Sequence, residues 1–146
     1  MTRVAIDTNV LVYAEIEPQT QKGSAARNVI LKTSRDGVLP MQVLGEFLRV
    51  VQRLDAALLD QARAQIESYL KFFTAPLTTA DTLYDAVDLA RAHGLQSWDA
   101  VIVAASAAAG AKVLLSEDMQ DGRAIGGVRI LNPFNPANDA VIAALF

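Results

Sequence analysis

The stretch Val4-Ala5-Ile6-Asp7-Thr8-Asn9-Val10-Leu11 decides the fold class of this chain. Its aliphatic beginning predicts a short buried strand over residues 3–6 that ends at Asp7. Thr8 and Asn9 are typical helix-capping residues, and the apolar residues after them begin a helix that stops before the next proline. A buried strand that leads through a polar turn into a helix is the building unit of α/β proteins.

The same alternation continues along the rest of the chain. Apolar periodicity and turn residues predict further helices over 25–34, 41–54, 55–69, 79–92, 97–109 and 140–146, and strands over 38–39, 72–77, 112–115 and 128–131. Residues 19–24 are polar and are expected to form a loop. Alternating strands and helices predict a parallel sheet with helices on both faces, which is a three-layer α/β/α fold. No linker, repeat or low-complexity tract divides the chain, so residues 1–146 are expected to form a single domain.

Composition excludes several classes of protein. The 146 residues are 52% hydrophobic, which argues against disorder, and no apolar run reaches the length of a membrane span. The absence of cysteine excludes a disulfide framework, thiol catalysis and thiolate zinc sites. Asp7 stands where a secretory signal would need its apolar region, so we expect a cytoplasmic protein. The net charge of -3 argues against nucleic-acid binding through bulk electrostatics, but bound cations could offset acidic residues locally.

Four acidic residues lie at the edges of apolar runs and are spread over the whole chain: Asp7, Glu46, Asp99 and Asp118. Carboxylates at the C-terminal ends of parallel strands gather in one crevice, where open α/β sheets bind ligands. Crowded like charges repel each other unless a cation lies between them. The sequence therefore predicts a divalent-metal site, which is the apparatus of phosphodiester hydrolysis.

Each acid also has a purely structural interpretation. Asp7 suits a helix N-cap, and Glu46 could form an intrahelical ion pair with Arg49. Asp99 lies in the first turn of a helix, where the helix dipole favours an acid, and Asp118 belongs to a polar loop. Taken together, their common position near predicted strand ends favours a shared site.

Four motifs in order make the chain resemble the PIN-domain family, and especially its VapC-type toxin ribonucleases. The first is the opening stretch, an aliphatic strand followed by Asp-Thr-Asn. The others are Val43-Leu44-Gly45-Glu46-Phe47, Ser97-Trp98-Asp99-Ala100-Val101-Ile102 and Val113-Leu114-Leu115-Ser116-Glu117-Asp118. The resemblance covers nearly the whole chain and implies a PIN-like fold with a central, mostly parallel sheet.

The resemblance implies a Mg²⁺- or Mn²⁺-dependent endoribonuclease that cleaves RNA with metal-activated water. By resemblance, the catalytic residues are Asp7, Glu46, Asp99 and Asp118, of which Asp7, Asp99 and Asp118 bind the metal. Supporting polar residues are Thr8, Asn9 and Ser116, with Asp121 as a further candidate. Mg²⁺ suits such a set because it prefers oxygen ligands and keeps several waters.

The partners implied by the resemblance are an RNA substrate, a cognate antitoxin and a second copy in a homodimer. Arg49 and Arg53 share the helical stripe of Glu46 and are candidates for binding RNA phosphates. An antitoxin would lay an amphipathic helix into an apolar groove and place an arginine in the acidic site. We expect the groove walls among residues 43–54 and 58–69, although these faces could equally be core or a dimer surface. No membrane partner is expected.

Two other functions compete with this interpretation. A haloacid-dehalogenase-type phosphatase also begins with a strand and Asp, but its chemistry needs a second Asp two residues later, where this chain has Asn9. A PIN-like module that only binds a partner is the second alternative. Metal-dependent cleavage of RNA would separate the nuclease from both.

Overall fold

A four-stranded sheet forms the centre of the computed structural model, which describes residues 2–146. The strands are β1 Val4–Ile6, β2 Val113–Leu115, β3 Ala124–Ile125 and β4 Val128–Leu131. Their order is β1-β2-β4-β3, with β1, β2 and β4 parallel and β3 antiparallel to β4. The predicted central, mostly parallel sheet is therefore confirmed.

Helices flank this sheet and complete the predicted α/β architecture. They are α1 Thr8–Ile16, α2 Gln21–Thr33, α3 Met41–Leu54, α4 Leu59–Phe72, α5 Ala80–His93, α6 Ser97–Ala108 and α7 Asp139–Ala143. Short 3₁₀ helices at Ala56–Leu58 and Pro136–Asn138 precede α4 and α7. Between residues 2 and 146, no helix has both the length and the apolar character that crossing a membrane requires.

The strand register fixes which residues meet at the functional edge of the sheet. β1 and β2 are buried throughout, as their aliphatic sequences require, and Ile6 pairs with Leu115. The pairing continues for one more step, since the amide of Asp7 donates to the carbonyl of Leu115 at 3.0 Å. Asp7 and Ser116 therefore leave neighbouring strands side by side, although 109 positions separate them.

α3 is amphipathic, and its orientation follows from its apolar side chains. Val43, Leu44, Phe47 and Val51 are all buried in the core. Residues on the other side of the helix, among them Glu46, are therefore turned away from this packing. The apolar positions of α3 consequently decide where its polar stripe lies.

The polar stretch 19–24 is partly helical, which makes the loop predicted there wrong. α2 begins at Gln21, and the hydroxyl of Thr20 caps it by accepting from the amide of Gly23 at 3.0 Å. Gly23 is needed here because an added Cβ would lie 1.9 Å from the carbonyl oxygen of Glu17. Close packing of two chain segments therefore explains a glycine that resembles a loop residue in the sequence.

Two predicted strands are reduced to single bridges. Val38 pairs with Ala5 and with Thr74, each through one isolated bridge, and α4 continues as far as Phe72. The residues next to Thr74 include Pro76, which has no amide hydrogen for a ladder. The edge of the sheet beside β1 therefore consists of extended backbone at Val38 and Thr74, without a full strand.

Several helix boundaries also differ from the predictions. α4 begins at Leu59, after a 3₁₀ turn that the side chain of Asp55 caps, whereas the predicted helix began at residue 55. α6 ends at Ala108, one residue earlier than predicted, and the short strand β3 was not predicted. Helix ends and two-residue strands depend on a few local hydrogen bonds, which apolar periodicity does not report.

Candidate functional site

Asp7 and Ser116 form the centre of the site at the C-terminal ends of β1 and β2. The hydroxyl of Ser116 donates to Oδ2 of Asp7 at 2.6 Å, and the amide of Thr8 donates to Oδ1 at 2.7 Å. Both side chains are buried, with Asp7 only 3% exposed. Asp7 therefore does cap α1, but its second oxygen points to the neighbouring strand end.

Asn9 connects two of the predicted acids. Its side-chain nitrogen donates to Oδ2 of Asp7 and to Oδ2 of Asp118, each at 3.2 Å. Its side-chain oxygen accepts from the amide of Glu117 at 3.1 Å. This orientation of the amide is fixed because the nitrogen faces carboxylates and the oxygen faces a backbone donor.

Glu46 reaches the same site from α3. The hydroxyl of Thr8 donates to Oε2 of Glu46 at 2.6 Å, which links the helix to the residue that follows Asp7. The ion pair of Glu46 with Arg49 that we had considered is not among the salt bridges of residues 2–146. The carboxylate of Glu46 is therefore held by Thr8 of α1 and not by an ion pair within its own helix.

The pKa values show that the four carboxylates share one electrostatic field. Burial raises the pKa of Asp7 to about 6, the charges of Asp99 and Glu46 add to the shift, and the hydrogen bonds from Ser116 and Thr8 oppose it. The pKa of half-buried Asp99 is also raised, first by burial and then by the charges of Glu46 and Asp118. None of the salt bridges in the described chain neutralises these four acids. Such a site favours a cation.

The donor set suits a divalent metal that binds through few protein ligands. Among residues 2–146, no three acidic side chains lie close enough to hold one ion together. Mg²⁺ commonly binds through one or two carboxylates, with waters and substrate phosphate in the other positions. An ionised carboxylate has about four acceptor positions, so Asp7, with three donors, keeps one free. The residues therefore fit Mg²⁺ or Mn²⁺ by chemistry and number of donors.

An open groove of about 510 Å³ extends from the acids along α1 and α3. Its lining comprises Thr8, Asn9, Val12, Tyr13, Glu17, Glu46, Arg49, Val50, Arg53, Glu117 and Asp118. Arg49 and Arg53 are exposed and take part in no salt bridge of residues 2–146. The groove thus joins an acidic end to two unpaired guanidinium groups.

Asp121 differs from the other predicted acids, because its hydrogen bonds are made with the C-terminal segment and not with the site. Its carboxylate accepts from the amide of Asn132 and from the side chains of Asn135 and Asn138, each at 2.9 Å. Slight burial opposes the shift, but these hydrogen bonds hold the pKa of Asp121 below its ordinary value. Most of the hydrogen bonds that this carboxylate accepts therefore come from the C-terminal segment.

A pair of charged residues beside the groove was not predicted. Lys22 lies 2.6 Å from Oε2 of Glu117, and the hydroxyl of Tyr13 donates to Oε1 at 2.8 Å. Burial opposes the lowering of the Glu117 pKa, but Lys22 and Tyr13 prevail. The spacing of Asn9 and Tyr13, one helical turn apart, was the signal that could have placed Tyr13 beside the site.

In a comparison with models of known protein families, the family model described as PIN domain matches residues 4–124. This range includes all four predicted acids. A search of curated proteins found no match.

Solved structures with a similar fold include several toxin–antitoxin proteins. A toxin–antitoxin complex from Klebsiella pneumoniae aligns with a TM-score of 0.67 at 16% identity, over 90% of this chain and 98% of that one. VapBC2 from Rickettsia felis, bound to a promoter DNA fragment, gives 0.65 at 17% identity, over 90% and 98%. The toxin VapC20 from Mycobacterium tuberculosis, which cleaves the Sarcin-Ricin loop, gives 0.65 at 17%, over 79% and 91%. At these identities the likeness establishes the fold.

Proposed function

This chain belongs to the PIN domain family, and on that premise we propose that it is a metal-dependent endoribonuclease, the toxin of a toxin–antitoxin pair. One observation carries the proposal: buried Asp7 and three further carboxylates lie together without a salt bridge in the described chain, and two of these acids line a groove that also contains two unpaired arginines. Asp7, Asp99 and Asp118 are the proposed metal ligands, with Glu46 as the fourth catalytic acid. Because no three acids of residues 2–146 are close enough to hold one ion together, at least one of these ligands would bind through water.

A bound divalent ion would supply an activated water and would stabilise charge on the scissile phosphate. The protein's own residues prepare the site for this chemistry. Ser116 and Asn9 fix the carboxylate of Asp7, and Asn9 also fixes that of Asp118. Thr8 holds Glu46 on the opposite wall. Because these side chains are held before substrate arrives, little reorganisation is needed on binding.

Arg49 and Arg53 are the proposed contacts for RNA. They follow Glu46 by one and two turns on α3, and a separation of four residues corresponds to about 6 Å along a helix. Both lie in the lining of the groove that contains Glu46 and Asp118. Guanidinium groups bind phosphate oxygens in bidentate fashion, so two such groups would hold the RNA backbone beside the acids.

A second, apolar groove of about 460 Å³ between α1, α2 and α4 is the proposed docking site of an antitoxin helix. Leu31 and Phe72 line it and are 73% and 62% exposed. Glu15 and Arg27 also line this groove, and Tyr69 and Gln65 each donate to Glu15 at 2.6 Å. The apolar face of α3 cannot serve as a wall as we had considered, because it is buried in the core.

The homodimer implied by the resemblance and the cytoplasmic location expected from the N-terminal sequence remain predictions. An exposed apolar strip on α5, with Leu83, Tyr84 and Val87, is the surface that we assign to a second copy. The phosphatase alternative loses support, because Asn9 is held between Asp7 and Asp118 and offers no acid or base.

Incubation of purified protein with a panel of structured RNAs, in Mg²⁺, in Mn²⁺ and in EDTA, tests the proposed activity. We expect metal-dependent cleavage that EDTA stops and that the Asp7→Asn/Asp99→Asn double variant lacks. Asp55→Asn, which changes an exposed carboxylate at a helix end, is the matched control and should cleave normally.

Well-folded, antitoxin-free protein that neither cleaves RNA nor binds Mn²⁺ would contradict the proposal. That outcome would support a PIN-like module that acts only by binding a partner.

A further inference from the structure

The hydrogen bonds that join the C-terminal segment 132–138 to the rest of the described chain converge on a single carboxylate. Asp121 accepts hydrogen bonds from the amide of Asn132 and from the side chains of Asn135 and Asn138. Asn138 also donates to the carbonyl of Asn132 at 3.0 Å, which closes the segment on itself. This segment lies beyond residues 4–124, to which the family match applies.

Within this segment, Phe134 contacts Tyr13 and Lys22 in the rest of the molecule. Its amide donates to the side chain of Asn132 at 2.9 Å, which fixes the backbone next to the clamp. Its ring meets the ring of Tyr13 edge to face, with centroids 5.0 Å apart. Lys22 lies over both rings, at 5.0 Å from the centroid of Tyr13 and 5.6 Å from that of Phe134.

Tyr13 and Lys22 in turn hold Glu117, which leads to the acidic site. Both side chains contact the carboxylate of Glu117, at 2.8 and 2.6 Å. The backbone amide of Glu117 donates to the side-chain oxygen of Asn9. Asn9 then directs its nitrogen to Asp7 and Asp118. A continuous series of direct contacts therefore runs from Asp121 to two of the proposed metal ligands.

We propose that Asp121 and Phe134 are positioning residues, and that the segment 132–138 acts as a buttress for the acidic site. The clamp at Asp121 holds the ring of Phe134 against Tyr13, and Tyr13 and Lys22 hold the loop of Glu117 against Asn9. The carboxylates of Asp7 and Asp118 thereby keep the orientation in which they receive a metal ion. The proposal rests on the proposed function only where cleavage is the readout.

The physical basis of this proposal is the set of hydrogen bonds that the carboxylate of Asp121 accepts. An ionised carboxylate donates no hydrogen bonds, and both oxygens of Asp121 accept from side chains of the segment 132–138. Asp121→Asn keeps the size of the side chain but turns one oxygen into a donor that would face the donors of Asn135 and Asn138. The substitution should therefore release the segment without leaving a cavity.

Nuclear magnetic resonance of the Asn9 side-chain amide, assigned with Asn9→Ser, tests the contact series directly. We expect Asp121→Asn and Phe134→Leu to shift or broaden the Asn9 resonances. We expect Asp55→Asn, the matched change of a helix-capping carboxylate, to leave them unchanged. Titration with Mn²⁺ should show affinity reduced up to about tenfold in the first two variants, since partners that orient metal ligands affect affinity on this scale.

Unchanged Asn9 resonances and unchanged Mn²⁺ affinity in either folded variant would overturn the proposal. If Asp121→Asn fails to fold, Phe134→Leu alone decides it, because that change leaves the clamp intact. Failure of the wild-type protein to cleave RNA would count against the proposed function, whereas the resonance and Mn²⁺ measurements would still decide the role of the buttress.

Discussion

Asp7 illustrates how one residue serves both fold and site. Its carboxylate caps α1 through the amide of Thr8, yet it is buried and lies near the charges of Asp99 and Glu46. A cap alone needs no such surroundings, since exposed aspartates cap helices equally well. Its burial among other acids therefore disfavours the ionised form in the absence of a cation.

The pKa of Asp7, raised from 3.8 to about 6, gives a prediction about stability without metal. The folded state binds this proton more tightly than the unfolded state does, so the free energy of unfolding should fall as pH rises through this interval. The expected loss is on the order of 3 kcal/mol. Denaturant unfolding of EDTA-treated wild-type protein and Asp7→Asn between pH 4 and 7 measures it.

We expect the difference in stability between these two proteins to change with pH and then to level off above pH 6. Asp55→Asn serves as the control because its carboxylate is exposed. If the free energy of unfolding depends on pH in the same way for wild-type protein and Asp7→Asn, folding does not raise the pKa of Asp7.

The two faces of α3 have different roles. Its apolar residues pack into the core, and its polar stripe brings Glu46, Arg49 and Arg53 into one groove. The helical period predicts that these residues share a face, and the structure adds that the face borders the acids. The arginines remain free of ion pairs within residues 2–146, although acids line the same groove.

Removal of the charges at Arg49 and Arg53 should weaken RNA binding in a salt-dependent manner. In an Asp7→Asn background, we expect the slope of log affinity against log salt for a single-stranded RNA to fall by about 0.7 for each arginine changed to alanine. Fluorescence anisotropy across a salt series measures this slope.

Arg63→Ala/Arg91→Ala removes the same charge from exposed positions on α4 and α5 and is the control. An equal change in slope for both pairs would mean that overall charge, and not the groove, attracts RNA.

The whole molecule carries two separate grooves with different chemistry. One contains acids and arginines beside the sheet edge, and the other is apolar and lies between α1, α2 and α4. This separation would allow an inhibitor to be anchored away from the acids while an extension of it reaches them. Grooves lined by exposed apolar side chains commonly receive amphipathic helices.

Leu31→Glu should therefore reduce affinity for the cognate antitoxin, at least about tenfold if Leu31 is an anchor of the interface. Leu31 is 73% exposed, so the substitution should not disturb the core. Leu77→Glu changes a residue that is 62% exposed outside this groove and is the control. Calorimetric titration measures both, and equal affinities would place the antitoxin elsewhere.

The sequence alone determined the fold class, three of the four strands in the described sheet and four acids that lie near one another. Short aliphatic runs predict buried strands, and apolar periodicity predicts helices, because both patterns are local consequences of burial. The acids at the ends of these runs follow from the same patterns. Boundaries at Gln21 and Phe72 were missed because they depend on close packing and on single bridges.

Only the tertiary structure decided which polar residues of the loop 116–121 contact the acids and which contact other parts of the protein. The sequence places Ser116, Glu117, Asp118 and Asp121 in one polar loop, and their spacing does not show which partner each side chain contacts. The register of β1 and β2 places Ser116 beside Asp7. Asp118 contacts Asn9, Glu117 contacts Lys22, and Asp121 contacts Asn132. The physical reason is that hydrogen bonds act over about 3 Å, so partners distant in sequence are set by packing rather than by spacing along the chain.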